Sequence, residues 1–295
     1  MYETGHALFD RRAWRRHRER AARTGGIDFL HAEVAERLLE RLDLVNRHFA
    51  KALDLGARGG ALTRALSARP GTEWVITAEP AEGFLARLPA PLVAADPELL
   101  PFAAASFDLV VSNLALHWVS DLPGALSQIR HTLRPDGLFL AAMLGGDTLV
   151  ELRTVLFEAE LAEEGGVSPR VSPGVALADA AALLQRAGFA LPVADSETIT
   201  VTYSNLFALL HDLRGMGETN ALAARRRFFL RRATLGAAAR LYAERFGDAE
   251  GRIPATFEIL FLCGWAPHPS QPQPLRPGSA TARLADALNT RRDGG

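Results

Sequence analysis

The sequence predicts an α/β protein: a doubly wound, mostly parallel seven-stranded sheet, with helices ahead of it and a helical insertion before its last strand. Two observations carry this expectation. Short apolar runs alternate with amphipathic stretches, the pattern of parallel strands joined by right-handed helical crossovers. The first of those runs also ends in a glycine turn, Asp54-Leu55-Gly56-Ala57-Arg58-Gly59-Gly60, where a buried strand hands over to a helix.

The elements follow in order. Phe29 to Leu44 predicts a helix, with Leu30, Val34, Leu38 and Leu42 on one face and Glu33, Arg37, Glu40 and Arg41 outside it. Ala52 to Gly56 is the first strand, and Ala61 to Ala68 a helix stopped by Pro70-Gly71. Trp74 to Glu79 is the second strand; after a short helix, Pro91 to Asp96 is the third and Phe107 to Ser112 the fourth. Leu122 to Leu133 predicts a helix, Arg134-Pro135-Asp136-Gly137 a turn and Leu138 to Met143 the fifth strand. Helices are expected over Thr148 to Glu163 and Val175 to Ala187, and strands over Glu197 to Tyr203 and Thr256 to Trp265. Residues 204–253, which hold Arg225-Arg226-Arg227 and Arg231-Arg232, read as a helical insertion that lids or flanks the pocket. The expected division is 1–46 for basic and amphipathic N-terminal helices, 47–266 for the α/β domain and 267–295 for an extended, proline-rich tail.

Composition narrows the function classes. A chain of 295 residues that is 48% hydrophobic suits a sizeable core. A net charge of −1 supplies no global drive toward nucleic acid. The single cysteine, Cys263, lies in an apolar run and reads as a buried structural residue, in keeping with a reducing compartment. No stretch reaches the ~18 apolar residues of a membrane span, and the N-terminus lacks a signal-peptide apolar region. A cytoplasmic location follows as the expectation, or the mitochondrial matrix for a eukaryotic chain. The arginines at 11, 12, 15, 16, 18, 20 and 23 are interrupted by Glu3, Asp10 and Glu19, unlike an acid-poor transit peptide. They read as a solvated helix, or as a basic helix held peripherally against the inner membrane or an acidic partner.

In an open parallel sheet, ligands bind beyond the carboxyl ends of the strands. Gly56 and Gly60 allow a tight turn and close backbone approach, with Gly59 beside them. Glu79 ends the second strand, where a carboxylate can accept from both hydroxyls of a ribose. Asp96 ends the third and can meet an exocyclic amine. Asn113 and Leu114 follow the fourth. A dinucleotide fingerprint wants G-x-G-x-x-G with pyrophosphate at a helix N-terminus. Here an acid precedes the first glycine, and Asp54 would repel a phosphate but welcome an ammonium or sulfonium. That favours S-adenosylmethionine as the cofactor.

These residues resemble the first motif of class I S-adenosylmethionine-dependent methyltransferases, whose fold is Rossmann-like. More narrowly, the chain is similar to the mitochondrial complex I assembly factor 5 family and its bacterial relatives, cousins of the malonyl-carrier-protein methyltransferase of biotin synthesis. The similarity runs from Phe9-Asp10-Arg11 through Leu53 to Gly56, Leu100-Pro101-Phe102, Phe107 to Ser112 and Leu116 to Pro123. It continues in Gly145 to Leu149, Glu151-Leu152-Arg153, Glu164 to Pro169, Asp212 to Glu218, Pro254-Ala255-Thr256 and Pro277 to Thr281. The resemblance implies an enzyme that modifies an arginine of a quinone-proximal complex I subunit, by hydroxylation rather than methyl transfer. One departure stands out: Arg58 occupies a position where that family usually has a glycine, and arginine disfavours positive φ. The expectation is a rearranged turn in which Gly59 takes the permissive role; the alternative is weak cofactor binding.

His117, Asp147 and Glu151 follow the fourth and fifth strands and are the candidate catalytic residues. Either acid can hold a guanidinium in a bidentate pair, or Asp147 caps the helix that follows, with Glu151 in its first turn. Trp118 stacks on a ligand or joins the core. The histidines at 117, 131, 211 and 268 show no paired spacing, so no metal site is expected. Two further readings stay open: a methyltransferase acting on a small-molecule or carrier-bound acyl substrate, and a non-catalytic assembly chaperone that keeps the fold.

Overall fold

The computed structural model describes residues 7–89 and 91–272, so the Pro277 to Thr281 motif and most of the expected tail lie outside it. In chain order the elements are α1 (Arg11–Arg23), α2 (Phe29–Asp43), β1 (Lys51–Leu55), α3 (Ala61–Ser67), β2 (Trp74–Ala78), α4 (Glu82–Leu85) and β3 (Leu92–Val93). Then come β4 (Phe107–Asn113), a 3-10 turn (Leu116–Trp118), α5 (Leu122–Thr132), β5 (Leu133–Leu144), α6 (Val150–Glu164), α7 (Leu177–Arg186) and β6 (Ala190–Tyr203). The last are α8 (Leu206–Met216), α9 (Arg232–Phe246) and β7 (Ile253–Trp265).

The strands form one seven-stranded sheet in the order β3-β2-β1-β4-β5-β7-β6. From β3 to β5 every pairing is parallel; β7 runs antiparallel to both β5 and β6. Order reverses between β1 and β4, the switch point where such sheets open a crevice. Helices cover both faces, so the central strands are buried on two sides and read as near-continuous apolar runs. One face packs the apolar stripe of α2 (Leu30, Val34, Leu38, Leu42) and parts of α6, α8 and α9 against Val111, Leu140 and Phe261. The other packs Leu122, Leu126 and Ile129 of α5 and Leu184 of α7 against Leu53, Val110 and Phe139. The outer strand β6 alternates half-buried and exposed residues, as an edge with one solvated face does.

Several expected boundaries shift for identifiable reasons. The third strand keeps only Leu92–Val93, because Asp96 is drawn into side-chain pairing described below. β5 begins at Leu133, before the expected turn, with a register shift against β4 between Phe107 and Leu109. β6 begins at Ala190, well before the alternation visible in sequence. The insertion is helical only at its ends: α8 stops at Gly217, whose φ is 84°, and residues 217–231 have no regular helix before α9.

Helix α1 starts on Asp10, whose side chain accepts from the Ala13 amide. It is not a wholly solvated helix. Trp14, Ala21, Ala22 and, unusually, Arg18 are buried, and Trp14 sits in a small core with Phe9, Trp118, Ala221 and Leu222.

Candidate functional site

The turn after β1 is built by close backbone approach. Gly56 has φ 80°, and a Cβ there would lie 2.4 Å from the Ala115 Cβ, so no larger residue fits. The amides of Gly56 and Ala57 both donate to the Ala78 carbonyl on β2. Gly60 is left-handed as well, but Gly59 is not; Arg58 itself takes φ 48°. The permissive role expected of Gly59 therefore falls to Arg58, at a cost of about 1–3 kcal/mol. Its surroundings over-determine it. The Arg58 amide donates to Glu79 Oε2 at 3.0 Å, Nε to Asp28 Oδ1 at 2.7 Å and Nη2 to the Ile27 carbonyl at 3.1 Å, and Nη1 donates to the Met216 carbonyl. The guanidinium thus ties the start of α2 to the end of α8 instead of lying across the turn.

Above the turn is a cavity of about 140 Å³ lined by Asp54, Gly56, Ala57, Arg58, Asn113 and His31, among others. Asp54 is 1% exposed. Its Oδ2 accepts from the Thr63 hydroxyl at 2.7 Å, while among the described residues Oδ1 has no partner. Burial pushes its carboxyl up to about 6, against the opposing pull of the Thr63 hydrogen bonds. Asn113 donates to the His31 carbonyl at 2.8 Å, and its Oδ1 also lacks a partner. Two residues of this lining thus carry buried acceptors without donors, and such groups call for one. The buried His31 ring is held neutral, its basicity lowered first by burial and then by Arg58 and Arg18. Leu114 is buried with φ 48°, its amide bonded to the Ala142 carbonyl of β5.

The two strand-end acids are placed differently. Glu79, 0% exposed, forms a bidentate pair with Arg18 of α1, Nε to Oε1 at 2.9 Å and Nη2 to Oε2 at 2.6 Å. The Arg58 and Ala81 amides donate to the same two oxygens, each at 3.0 Å. A carboxylate offers about four lone-pair sites, and all are used. Burial would make the Arg18 guanidinium easier to deprotonate, but the Glu79 charge outweighs it and raises its pKa. Asp96 is saturated likewise: Arg11 bonds both its oxygens, Arg15 Nη2 donates to Oδ2 at 3.0 Å and the Glu98 amide to Oδ1 at 3.0 Å. Burial raises the Asp96 carboxyl; these donors more than reverse that. Both acids expected to face a nucleoside are therefore occupied by arginines of α1.

A second cavity, of about 520 Å³, opens beyond the end of β5 between α6 and α8. Its lining is mostly apolar, including Leu149, Leu152, Leu210, Leu213 and Phe257. Among the described residues, the sole carboxylate in that lining is Glu218. Its Oε2 accepts from Trp118 Nε1 at 3.0 Å and stands 3.1 Å from His117 Nε2, and among the described residues Oε1 makes no hydrogen bond. Burial raises the Glu218 carboxyl, but His117 and Trp118 more than offset this and keep it below its ordinary range.

Of the candidate catalytic residues, His117 lines this cavity; Asp147 and Glu151 do not. Glu151 is buried in the first turn of α6, with Oε2 accepting from the Thr256 amide at 3.2 Å and Oε1 from its hydroxyl. Asp147 is exposed and does not cap α6, which begins after Leu149 with no side-chain cap. Trp118 joins the small core beside α1, packing edge-on to Phe9 at 5.2 Å, and also lines the cavity. Sequence reasoning missed Glu218 and the α1 arginines. For the latter a signal existed: Arg11, Arg15 and Arg18 are spaced i, i+4, i+7, one face of a helix. Among the described residues no group of three or more His, Cys, Asp or Glu is placed to hold a metal ion.

Comparison with known proteins agrees with this architecture. The "Methyltransferase domain" family model matches residues 53–141. Arginine-hydroxylase NDUFAF5 of Danio rerio is 42% identical over 96% of this chain and 90% of that protein; the Homo sapiens counterpart is 43% identical over 95% and 83%. The malonyl-[acyl-carrier protein] O-methyltransferase of Xylella fastidiosa is 36% identical over 88% and 89%. In structure, the YcgJ protein of Bacillus subtilis superposes with a TM-score of 0.54 at 16% identity, covering 78% of this chain and 98% of that one, a likeness of fold. With identity this high along nearly the whole of both chains, this protein belongs to the methyltransferase-fold enzyme family that includes the arginine hydroxylases NDUFAF5.

Proposed function

We propose that the chain is an S-adenosylmethionine-binding enzyme that modifies an arginine side chain of a quinone-proximal subunit during assembly of respiratory complex I. The observation that carries the substrate half is Glu218. A buried, ionised carboxylate with an unused oxygen, in a largely apolar cavity, suits a guanidinium, which binds carboxylates bidentately. Trp118 and His117 hold that carboxylate in place and supply ring faces beside it.

The cofactor half fits at one end. Asp54 Oδ1 and Asn113 Oδ1 are unpaired acceptors for the ammonium of the methionine moiety. At the other end, Glu79 and Asp96 become available to a nucleoside when α1 gives them up. When bound, S-adenosylmethionine would supply an electrophilic methyl group carried on its sulfonium sulfur. The residues of the chain position the substrate and keep water from it, the main tasks of a transferase of this kind.

The intact mass of the candidate complex I subunit, compared between wild-type and deletion cells, tests the proposal. A deficit of one oxygen atom per subunit is expected for hydroxylation, or of one CH2 for methylation. An unchanged mass overturns it.

A second reading draws on one observation. The lining of the cavity is largely apolar and includes Arg214 and His211, features that suit a carboxyl-ended acyl chain on a carrier. Methyl-ester formation on a malonyl carrier protein by the purified enzyme would select this reading.

A further inference from the structure

We propose that residues 225–232 form a lip that docks on the surface of an anionic lipid bilayer. The segment reads Arg-Arg-Arg-Phe-Phe-Leu-Arg-Arg and contains no acid. Phe228 is 78% exposed and Phe229 102%. Single exposed apolar residues are ordinary; two adjacent, largely exposed aromatic rings with cations on both sides are not.

The root of the lip is fixed while its tip projects. Arg225 donates to Asp10 at 2.8 Å, and Arg226 is paired with Glu164 of α6. Leu230 turns inward onto the core and lines the 520 Å³ cavity. The arginines nearest the rings are the least engaged. Among the described residues, neither Arg227 nor Arg232 has a carboxylate within bridging distance, and Arg231 reaches Glu164 only at 3.9 Å.

This combination selects the partner. An acidic protein surface satisfies the cations but leaves the rings in water. A bilayer satisfies both: apolar side chains enter about 5–10 Å, to the acyl boundary, while long arginine stems keep their guanidinium groups among anionic headgroups. Two rings give weak, reversible attachment that depends on anionic lipid and falls with salt. The membrane contact expected of the N-terminal basic helix thus has a better-equipped site here, since Arg11, Arg15 and Arg18 are committed to Asp96 and Glu79. The docking does not depend on which substrate the cavity takes.

Sedimentation of the full chain with phosphatidylcholine vesicles, with and without phosphatidylglycerol, tests the lip. The wild type is expected to bind only the anionic vesicles and to release in high salt. Phe228→Ser/Phe229→Ser should lose about tenfold or more in partition, and Arg227→Gln/Arg232→Gln should lose the anionic preference. Both pairs are exposed, so thermal unfolding should not change and checks that the variants fold. Phe229→Trp should fluoresce to the blue on vesicles and be quenched by brominated acyl chains. The proposal is overturned if the wild type ignores anionic vesicles, if the phenylalanine variant binds as well, or if the lip binds an acidic carrier protein and no vesicle.

Discussion

Arg18 of α1 and Glu79 at the end of β2 form a fully buried, bidentate ion pair, and with the amides of Arg58 and Ala81 they use every lone pair of that carboxylate. Two consequences separate cleanly. Arg18→Met leaves Glu79 buried and unpaired, and should destabilise the protein by about 3–5 kcal/mol in urea titration. It should also free Glu79 for a ribose, so that S-adenosylmethionine binds roughly tenfold more tightly, because the competing arrangement is removed. If Arg18 merely orients Glu79 for the cofactor, calorimetry would show stability and affinity falling together.

Binding should weaken in acid. The Asp54 carboxyl lies near 6, raised by burial. Below that pH it is neutral and offers an ammonium less than the charged form does. The dissociation constant of S-adenosylmethionine should therefore rise as pH falls from 7 to 5, and Asp54→Asn should flatten the profile. A wild-type profile already flat across this range contradicts the role given to Asp54.

Glu218→Gln keeps the hydrogen-bonding shape around Trp118 but removes the charge. A hydrogen bond to a charged group contributes about 1.5–3 kcal/mol, so KM for an arginine-bearing substrate should rise by about 10- to 100-fold, with S-adenosylmethionine affinity unchanged. For a carrier-bound acyl substrate the substitution should change KM little.

Stability should fall in mild acid through His17. Its pKa is lowered to about 4, first by burial and then by the charges of nearby arginines, Arg20 foremost. A histidine whose folded pKa lies below the unfolded value of about 6.5 contributes fully above 6.5. That contribution is lost as pH falls toward 4, since the unfolded chain takes up the proton first. The urea midpoint should drop between pH 7 and 4.5, and less so in His17→Asn. An equal drop in the variant would place the effect elsewhere, with the buried neutral His31 the next candidate.

Much of this was legible in the residues. The sequence pattern located all seven strands: the central ones, buried on both faces, show by composition, and the edge strand β6 by its alternation. The glycine turn and Asp54 lie at the end of β1, where the sequence put them. What was not legible depended on long-range packing. Glu79 and Asp96 look free along the chain, but their partners lie 61 and 85 residues away on α1. Arg58 was expected to push the positive φ onto Gly59; tertiary bonds to Asp28, Ile27 and Met216 instead hold Arg58 in that conformation. Asp147 and Glu151 follow β5 in sequence, yet neither lines the cavity: Asp147 is exposed and the path of β7 draws Glu151 to Thr256. Glu218 reaches the cavity because Gly217 turns the chain at the end of α8.

We propose that the cofactor site lies at the β1 turn and that α1 closes its nucleoside half. Hydrogen exchange with and without S-adenosylhomocysteine tests it most directly. Slower exchange is expected in the amides of residues 56–62 and faster exchange in residues 11–23 as Arg11, Arg15 and Arg18 release their acids. Unchanged or increased protection of residues 11–23 at saturating ligand would contradict it.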